Sequence, residues 1–217
     1  MRPPAPHDLL WIDDGRRLHW RPSPPSWVAA QWSPLLPLVV RRDGSLPASI
    51  PVGIRGTQRS LRAAAWVNAD AVTRTATPEA LVGQLARSDL GANEALPVMQ
   101  ALRQMAAADW PWPWGVTGSC GYMLATGLPV CRAESDLDLL IRSPRPPRPR
   151  DFAPLMAFIP ALPCRVDIQL ETPLGGCALT EWLRGGKVMV KTADGPIRVT
   201  DPWAHEEQGD CGVADHH

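Results

Sequence analysis

The chain lacks net charge: 22 Lys and Arg stand against 22 Asp and Glu. A dedicated nucleic-acid binder is usually basic, so this balance speaks against that class. It does not speak against a local basic patch around a phosphate-rich ligand. Cysteine is sparse and unpaired in pattern. The five cysteines, at positions 120, 131, 164, 177 and 211, include no C-x-x-C. An odd number with that spacing gives neither a zinc pattern nor a disulfide framework, so free thiols are expected. No apolar run reaches membrane-spanning length, and the opening residues hold no signal-peptide core. These absences lead to the expectation of a cytoplasmic protein with no membrane and no nucleic-acid partner.

What is present is enough for a real core: 217 residues, 45% of them hydrophobic. The 25 prolines gather in loops. Pro22-Ser23-Pro24-Pro25 is one such run. Another is Pro144 to Pro149 with Arg145, Arg148 and Arg150, a stiff basic connector that either faces phosphate or a partner or is simply solvated. The first 75 or so residues read as β-rich. Leu35 to Val40, Ala48 to Ile54 and Ala63 to Val67 are strand candidates, the first two separated by a charged turn at Arg41 to Gly44. Thr77-Pro78-Glu79 then opens a helix, with Thr as N-cap and Pro in the first turn, running to about Arg87. A second helix is expected from about Asn93 to Ala108, with Leu96, Met99, Leu102 and Met105 on one face. The prolines of Trp110-Pro111-Trp112-Pro113-Trp114 exclude a helix there. Those tryptophans either fill core or stack an adenine. Later helices are expected near Asp151 to Phe158 and Ala178 to Arg184. A closing strand pair, Lys187 to Lys191 and Ile197 to Thr200, turns at Asp194-Gly195.

The chemistry gathers in three short segments. Ser135-Asp136-Leu137-Asp138-Leu139 places two aspartates two residues apart in a strand-like run, so both face the same side while the leucines enter the core. Two carboxylates together repel and lose solvation unless a cation sits between them. Mg²⁺ suits that place, because it takes one or two carboxylates and completes its shell with substrate phosphates; Mn²⁺ is an alternative. Upstream, Gly118-Ser119 forms a small-residue turn before a short helix, Cys120 to Thr126, that ends at Gly127. Free amides and the positive end of a helix favour a phosphate there. Downstream, Asp167 lies in the alternating segment Cys164 to Leu170. If that strand neighbours the first, Asp136, Asp138 and Asp167 converge as metal ligands, with Asp167 either sharing a metal or taking a proton. Arg55, Arg59 and Arg62 are candidates for gripping phosphate oxygens, with Gly53 and Gly56 allowing close backbone approach. Lys191 and, more weakly, Lys187 are further cations. Cys120 beside the turn is either a reactive thiol or a small helix-opening residue.

Gly118-Ser119, Asp136-x-Asp138 and the later Asp167 resemble the signature of the DNA polymerase β-type nucleotidyltransferase superfamily. A wider set covers most of the chain: Arg2-Pro3…His7-Asp8-Leu9-Leu10-Trp11, Pro51-Val52-Gly53-Ile54-Arg55-Gly56 with Arg59 and Arg62, Thr117-Gly118-Ser119-x-Gly121, Ala125-Thr126-Gly127 and Ser135 to Leu139. Together these resemble the malonate decarboxylase holo-acyl-carrier-protein synthases, the phosphoribosyl-dephospho-CoA transferases. The resemblance implies an α+β fold, a nucleotidyltransferase palm (a small mixed β-sheet with helices) over residues 81–217, and a β-rich N-terminal lobe over residues 1–80. It implies catalysis by Asp136 and Asp138. It also implies transfer of 2′-(5″-phosphoribosyl)-3′-dephospho-CoA from 2′-(5″-triphosphoribosyl)-3′-dephospho-CoA to a serine of the apo acyl carrier protein subunit of malonate decarboxylase, with release of pyrophosphate. Two other readings of the residues stay open. One is a nucleotidyltransferase that uses an ordinary NTP on a small molecule or toxin. The other is a degenerate, non-enzymatic module that binds a carrier protein or nucleotide.

Overall fold

A computed structural model describes residues 2–46, 48–58, 60–88 and 90–204. The chain is mixed α+β, built on two six-stranded sheets. The first sheet contains β1 (Leu9–Ile12), β2 (Leu18–His19), β3 (Leu38–Val40), β4 (Ile50–Arg55), β5 (Arg62–Val67) and β6 (Val72–Ala76), in the order β2-β5-β4-β3-β1-β6. Every pairing in it is antiparallel. A short helix, α1 (Trp27–Gln31), lies between β2 and β3. The expected strand from Leu35 is shorter than its apolar run, because Leu35 itself is solvent-exposed and pairing begins at Leu38.

All four residues of β1 are buried. Leu10 and Ile12 join a core with Val28, Leu38, Val52 and Ile54, whereas Leu9 and Trp11 join the core of the second half. A strand covered on both faces shows no polar alternation. Leu9-Leu10-Trp11-Ile12 therefore carries no strand signal of its own.

Helix α2 (Pro78–Gln84) begins as its sequence requires: the Thr77 hydroxyl accepts the Ala80 N–H at 3.1 Å. Helix α3 (Pro97–Ala107) buries Met99, Leu102 and Met105. It starts later than the apolar spacing suggests, because residues Gly91–Ala95 form a 3-10 turn instead. The second sheet holds β7 (Trp114–Val116), β8 (Leu137–Arg142), β9 (Val166–Glu171), β10 (Gly176–Ala178), β11 (Val188–Thr192) and β12 (Gly195–Val199), in the order β12-β11-β10-β9-β8-β7. Helix α4 (Gly118–Thr126) joins β7 to β8, α5 (Ala153–Phe158) joins β8 to β9, and α6 (Leu179–Arg184) joins β10 to β11. Of these strand pairs β8 with β9 is parallel, and the others are antiparallel. A parallel neighbour needs a long crossover, which the segment carrying α5 supplies. No helix among the described residues is long and apolar enough to cross a membrane.

The tryptophan run is core. Trp110 stacks on Trp112 at 5.9 Å, Trp112 on Phe152 at 4.7 Å, and Phe152 meets Trp182 edge-on at 5.9 Å. With Trp114 also packed against the second core, these contacts favour the core-filling reading of the run. The Pro144–Arg150 connector is largely exposed.

Candidate active site

Three adjacent strands bring the sequence motifs into one row. β7 ends at Val116, which lies opposite Leu139 of β8. The next N–H, of Thr117, donates to the Asp138 carbonyl oxygen at 2.9 Å, and the Thr117 hydroxyl donates to the same oxygen at 3.3 Å. The start of α4 is therefore bolted to the strand that bears Asp138. Gly118 follows, with φ +60°, and a Cβ on it would lie 1.9 Å from Asp138 Oδ2. Both the backbone conformation and the approach of the carboxylate require glycine. The helical ladder begins with the Gly121 N–H on the Thr117 carbonyl at 2.9 Å. The Gly118 and Ser119 amides precede that ladder, at the positive end of the helix. On the other side of β8, the parallel register sets Asp167 directly opposite Asp138.

These residues close a recess of about 130 Å³ bounded by Arg62, Gly118, Ser119, Ser135, Asp136, Asp138 and Asp167. Asp136 and Asp138 are half-buried there, while Leu137 and Leu139 are buried on the opposite face. Asp167 stands at the rim, exposed, and its Oδ1 accepts from Arg165 Nη2 at 2.9 Å and Nε at 3.2 Å. The two residues sit on the same side of the chain, two apart, so each is the other's nearest charge partner. Register and recess thus bring Asp136, Asp138 and Asp167 together as expected, with the Asp167 carboxylate turned to Arg165 at the rim. Among the described residues no three His, Cys, Asp or Glu side chains gather as a ready-made metal cage. Two half-buried acids that both line the recess fit a Mg²⁺ that draws its remaining oxygens from substrate phosphates.

The first sheet contributes cations. Arg55 and Arg62 face each other across β4 and β5. Arg55 Nη2 donates to the Ser119 hydroxyl at 3.0 Å, and its guanidinium carbon lies 5.3 Å from the centre of the Tyr122 ring. Burial raises the Tyr122 phenol above its usual range, against the pull of Arg55. Arg62 reaches the recess. Arg59 lies outside the described residues. Gly53 and Gly56 do not open a path for a ligand: the Arg41 side chain covers Gly53, and Leu61 and Gln31 close on Gly56. Lys191 lines the cleft between the sheets, whereas Lys187 lines a separate depression with Ile197 and Arg198. Cys120 is buried with its sulfur 3.5 Å from Met99 Sδ and 3.8 Å from Cys131 Sγ. Its contact with Cys131, and then burial, push its thiol far upward. It is a packing residue, not an activated nucleophile.

Two larger cavities open from the recess and share Gly118 with it. One of about 630 Å³ runs between the sheets and is lined by Leu9, Arg42, Arg55, Arg62, Tyr122 and Lys191 among others. One of about 480 Å³ lies along the second sheet, past Asp138 and Asp167 towards Thr180 and Glu181. His7 lines both, with φ +73°. Its Nε2 lies 2.8 Å from the Gln169 side-chain nitrogen of β9. Burial, and then Arg42, Arg142 and Lys191, hold the imidazole down to about 4. It is neutral at pH 7.

Sequence reasoning missed what holds this cleft in shape. Asp8, fully buried, accepts the Ala5 N–H, Arg2 Nη2 and Arg142 Nη2, each at 2.9 Å. Arg142 Nε in turn donates to Glu79 at 2.8 Å. Arg42, from the β3–β4 turn, pairs with Glu171 of β9. The N-terminal segment, both sheets and α2 are thereby tied by charge. Asp8 and Arg142 lie 134 residues apart in sequence, and spacing carries no signal for a pair of that separation.

Comparison with known proteins bears directly on this arrangement. Residues 5–78 match the family profile described as phosphoribosyl-dephospho-CoA transferase MdcG N-terminal domain. Residues 83–202 match the corresponding C-terminal domain. A phosphoribosyl-dephospho-CoA transferase of Klebsiella pneumoniae (strain 342) is 47% identical over 205 residues, covering 94% of this chain and 98% of that protein. Proteins of the same name from Pseudomonas aeruginosa PAO1 and Azotobacter vinelandii are 43% and 42% identical, each covering 92% of this chain and 94% of the relative. No solved structure gives a significant match.

Proposed function

This chain belongs to the phosphoribosyl-dephospho-CoA transferase MdcG family, and on that premise we propose that it charges an apo acyl carrier protein, the carrier subunit of malonate decarboxylase, on a serine. The donor is 2′-(5″-triphosphoribosyl)-3′-dephospho-CoA. The protein is a transferase, and the second sheet is read as a nucleotidyltransferase palm working in the cytoplasm. One observation carries the reading. Asp138 is pinned on one side to the Gly118-Ser119 turn and set on the other beside Asp167, in a recess that an arginine from the other sheet enters.

The serine oxygen attacks the α-phosphorus of the triphosphate. The O–P bond to the carrier forms, the bond from that phosphorus to the bridging oxygen breaks, and pyrophosphate leaves with the electron pair. The serine proton passes to a base at the recess. Asp167 is the residue proposed for that role, released from Arg165 when substrate phosphates compete for the guanidinium. The Gly118 and Ser119 amides orient the β- and γ-phosphates. Arg55 fixes the Ser119 hydroxyl, and Arg62 neutralises the departing charge. Asp136 and Asp138 would hold Mg²⁺, with Asp167 at the edge of that set, and the ion supplies charge neutralisation for the triphosphate. A neutral His7 in the cleft adds no positive charge of its own and leaves anion binding to the arginines.

Transfer should stop on chelation and return with Mg²⁺ or Mn²⁺. Asp136→Asn and Asp138→Asn should each lose at least about a hundredfold in rate while circular dichroism and melting temperature stay near wild type. Unchanged transfer in both variants would remove the aspartate pair from the mechanism. Turnover of ordinary NTPs in place of the triphosphoribosyl donor would favour a general nucleotidyltransferase instead.

A further inference from the structure

The recess that holds the aspartates is far too small for the whole donor. About 130 Å³ is some four water volumes at ~30 Å³ each, enough for an ion and phosphate oxygens and no more. The rest of the donor must lie in one of the two cavities that share Gly118 with it. We propose that the inter-sheet cavity, of about 630 Å³, binds the dephospho-CoA half of the donor, leaving the second cavity to the acceptor serine. This assignment rests on the transferase reading above.

Charge decides between the cavities. Dephospho-CoA carries an anionic diphosphate between its adenosine and its pantetheine arm, so it favours cations and avoids carboxylates. Among the described residues the inter-sheet cavity is lined by four arginines and a lysine and by no carboxylate. Arg41 and Arg42 are partly neutralised by Asp43 and Glu171. Arg62 and Lys191, by contrast, form no ion pair among the described residues. Among the described residues the second cavity, of about 480 Å³, is lined by Asp138, Asp167 and Glu181 against Lys191 as the one lysine or arginine. An anionic arm is disfavoured there, whereas a neutral serine hydroxyl that must lose a proton gains from a carboxylate.

Shape agrees with charge. The floor of the inter-sheet cavity is apolar, made by Leu9, Val39, Leu81 and Val116, and its size lies within the range of small-molecule and cofactor sites. An adenine or a pantetheine chain can bury there while Lys191 and the arginines meet the diphosphate. Because the two cavities meet at Gly118 beside Asp138, donor and acceptor would approach the recess from different sides. That leaves the serine its own approach to the α-phosphorus, where it must stand in line with the departing pyrophosphate.

Isothermal titration with dephospho-CoA alone, which lacks the triphosphoribosyl group, tests the assignment without catalysis. Wild type should bind it. Val39→Trp, which fills the apolar floor, should weaken binding by at least about tenfold, and Thr180→Trp, in the second cavity, should leave it within about twofold. Pro196→Trp, on an exposed position of the same inter-sheet cavity, repeats the first test if Val39→Trp fails to fold. Wild-type affinity in both inter-sheet variants, loss of affinity in Thr180→Trp, or no binding by wild type would overturn the assignment. A wild type that binds dephospho-CoA in this cavity yet never charges a carrier would overturn the transferase reading and leave the subsite standing.

Discussion

At the scale of single residues, Gly118 is the most constrained position. Its positive φ and the carboxylate 1.9 Å from where a Cβ would stand leave no room for alanine. Gly118→Ala should push Asp138 aside, so transfer should fall at least about a hundredfold, with a stability loss of ~1 kcal/mol or more from the backbone alone. Asp8 is a different case, since it is structural. Removing it leaves the Arg142 guanidinium partly buried and short of a partner. Asp8→Ala should cost about 3–5 kcal/mol in urea denaturation. His7 gives a pH signature. Its pKa falls from 6.5 to about 4 in the folded protein. Between those values the unfolded chain holds the proton and the folded chain does not. Stability is therefore complete above pH 6.5 and is lost as pH falls towards 4. The share of His7 is up to about 3 kcal/mol. His7→Asn, which tolerates the positive φ, should flatten the difference in stability measured between about pH 7.5 and about pH 4.5. An unchanged slope would show that His7 is not the titrating group.

At the scale of elements, the site is built on the adjacent strands β7, β8 and β9. Much of it is legible in the sequence. The Asp-Leu-Asp alternation, the Thr-Pro-Glu helix start and the Gly127 helix end are local signals, and local physics decides them. Asp167 is legible as a strand residue but not in its contacts, because its partner Arg165 follows from side-chain competition at an exposed edge. β1 is not legible as a strand. Both its faces are buried, by two different cores, and the alternation that marks a half-buried strand is therefore missing. The short β10 is hidden because its three residues, Gly176–Ala178, are too few to show a period. The arginine pair on β4 and β5 belongs to this scale as well. Arg55→Ala and Arg62→Ala should each raise the KM for the donor, by about tenfold or more for a charge-assisted phosphate contact. Melting temperature should change little for Arg62→Ala, whose residue is exposed.

At the scale of the molecule, the candidate site is lined by residues from both sheets. The aspartates and the Gly118-Ser119 turn belong to the second half of the chain, and Arg55 and Arg62 to the first sheet. The ties between them are the Asp8–Arg142–Glu79 chain, the Arg42–Glu171 pair and the His7–Gln169 contact. All are long-range and charged or polar, which is why composition and periodicity carry no hint of them. Together they explain why the cleft is lined from both halves of the chain. The central claim is that this cleft moves a phosphoribosyl-dephospho-CoA group onto a carrier serine through the aspartate pair. Its most direct test is intact-protein mass spectrometry of a purified apo carrier subunit after incubation with enzyme, Mg²⁺ and the triphosphoribosyl donor, alongside Asp138→Asn. The account predicts one mass gain, equal to phosphoribosyl-dephospho-CoA and localised to a single serine, with wild type and almost none with Asp138→Asn. An unmodified carrier with wild type, or equal modification by both enzymes, would contradict it.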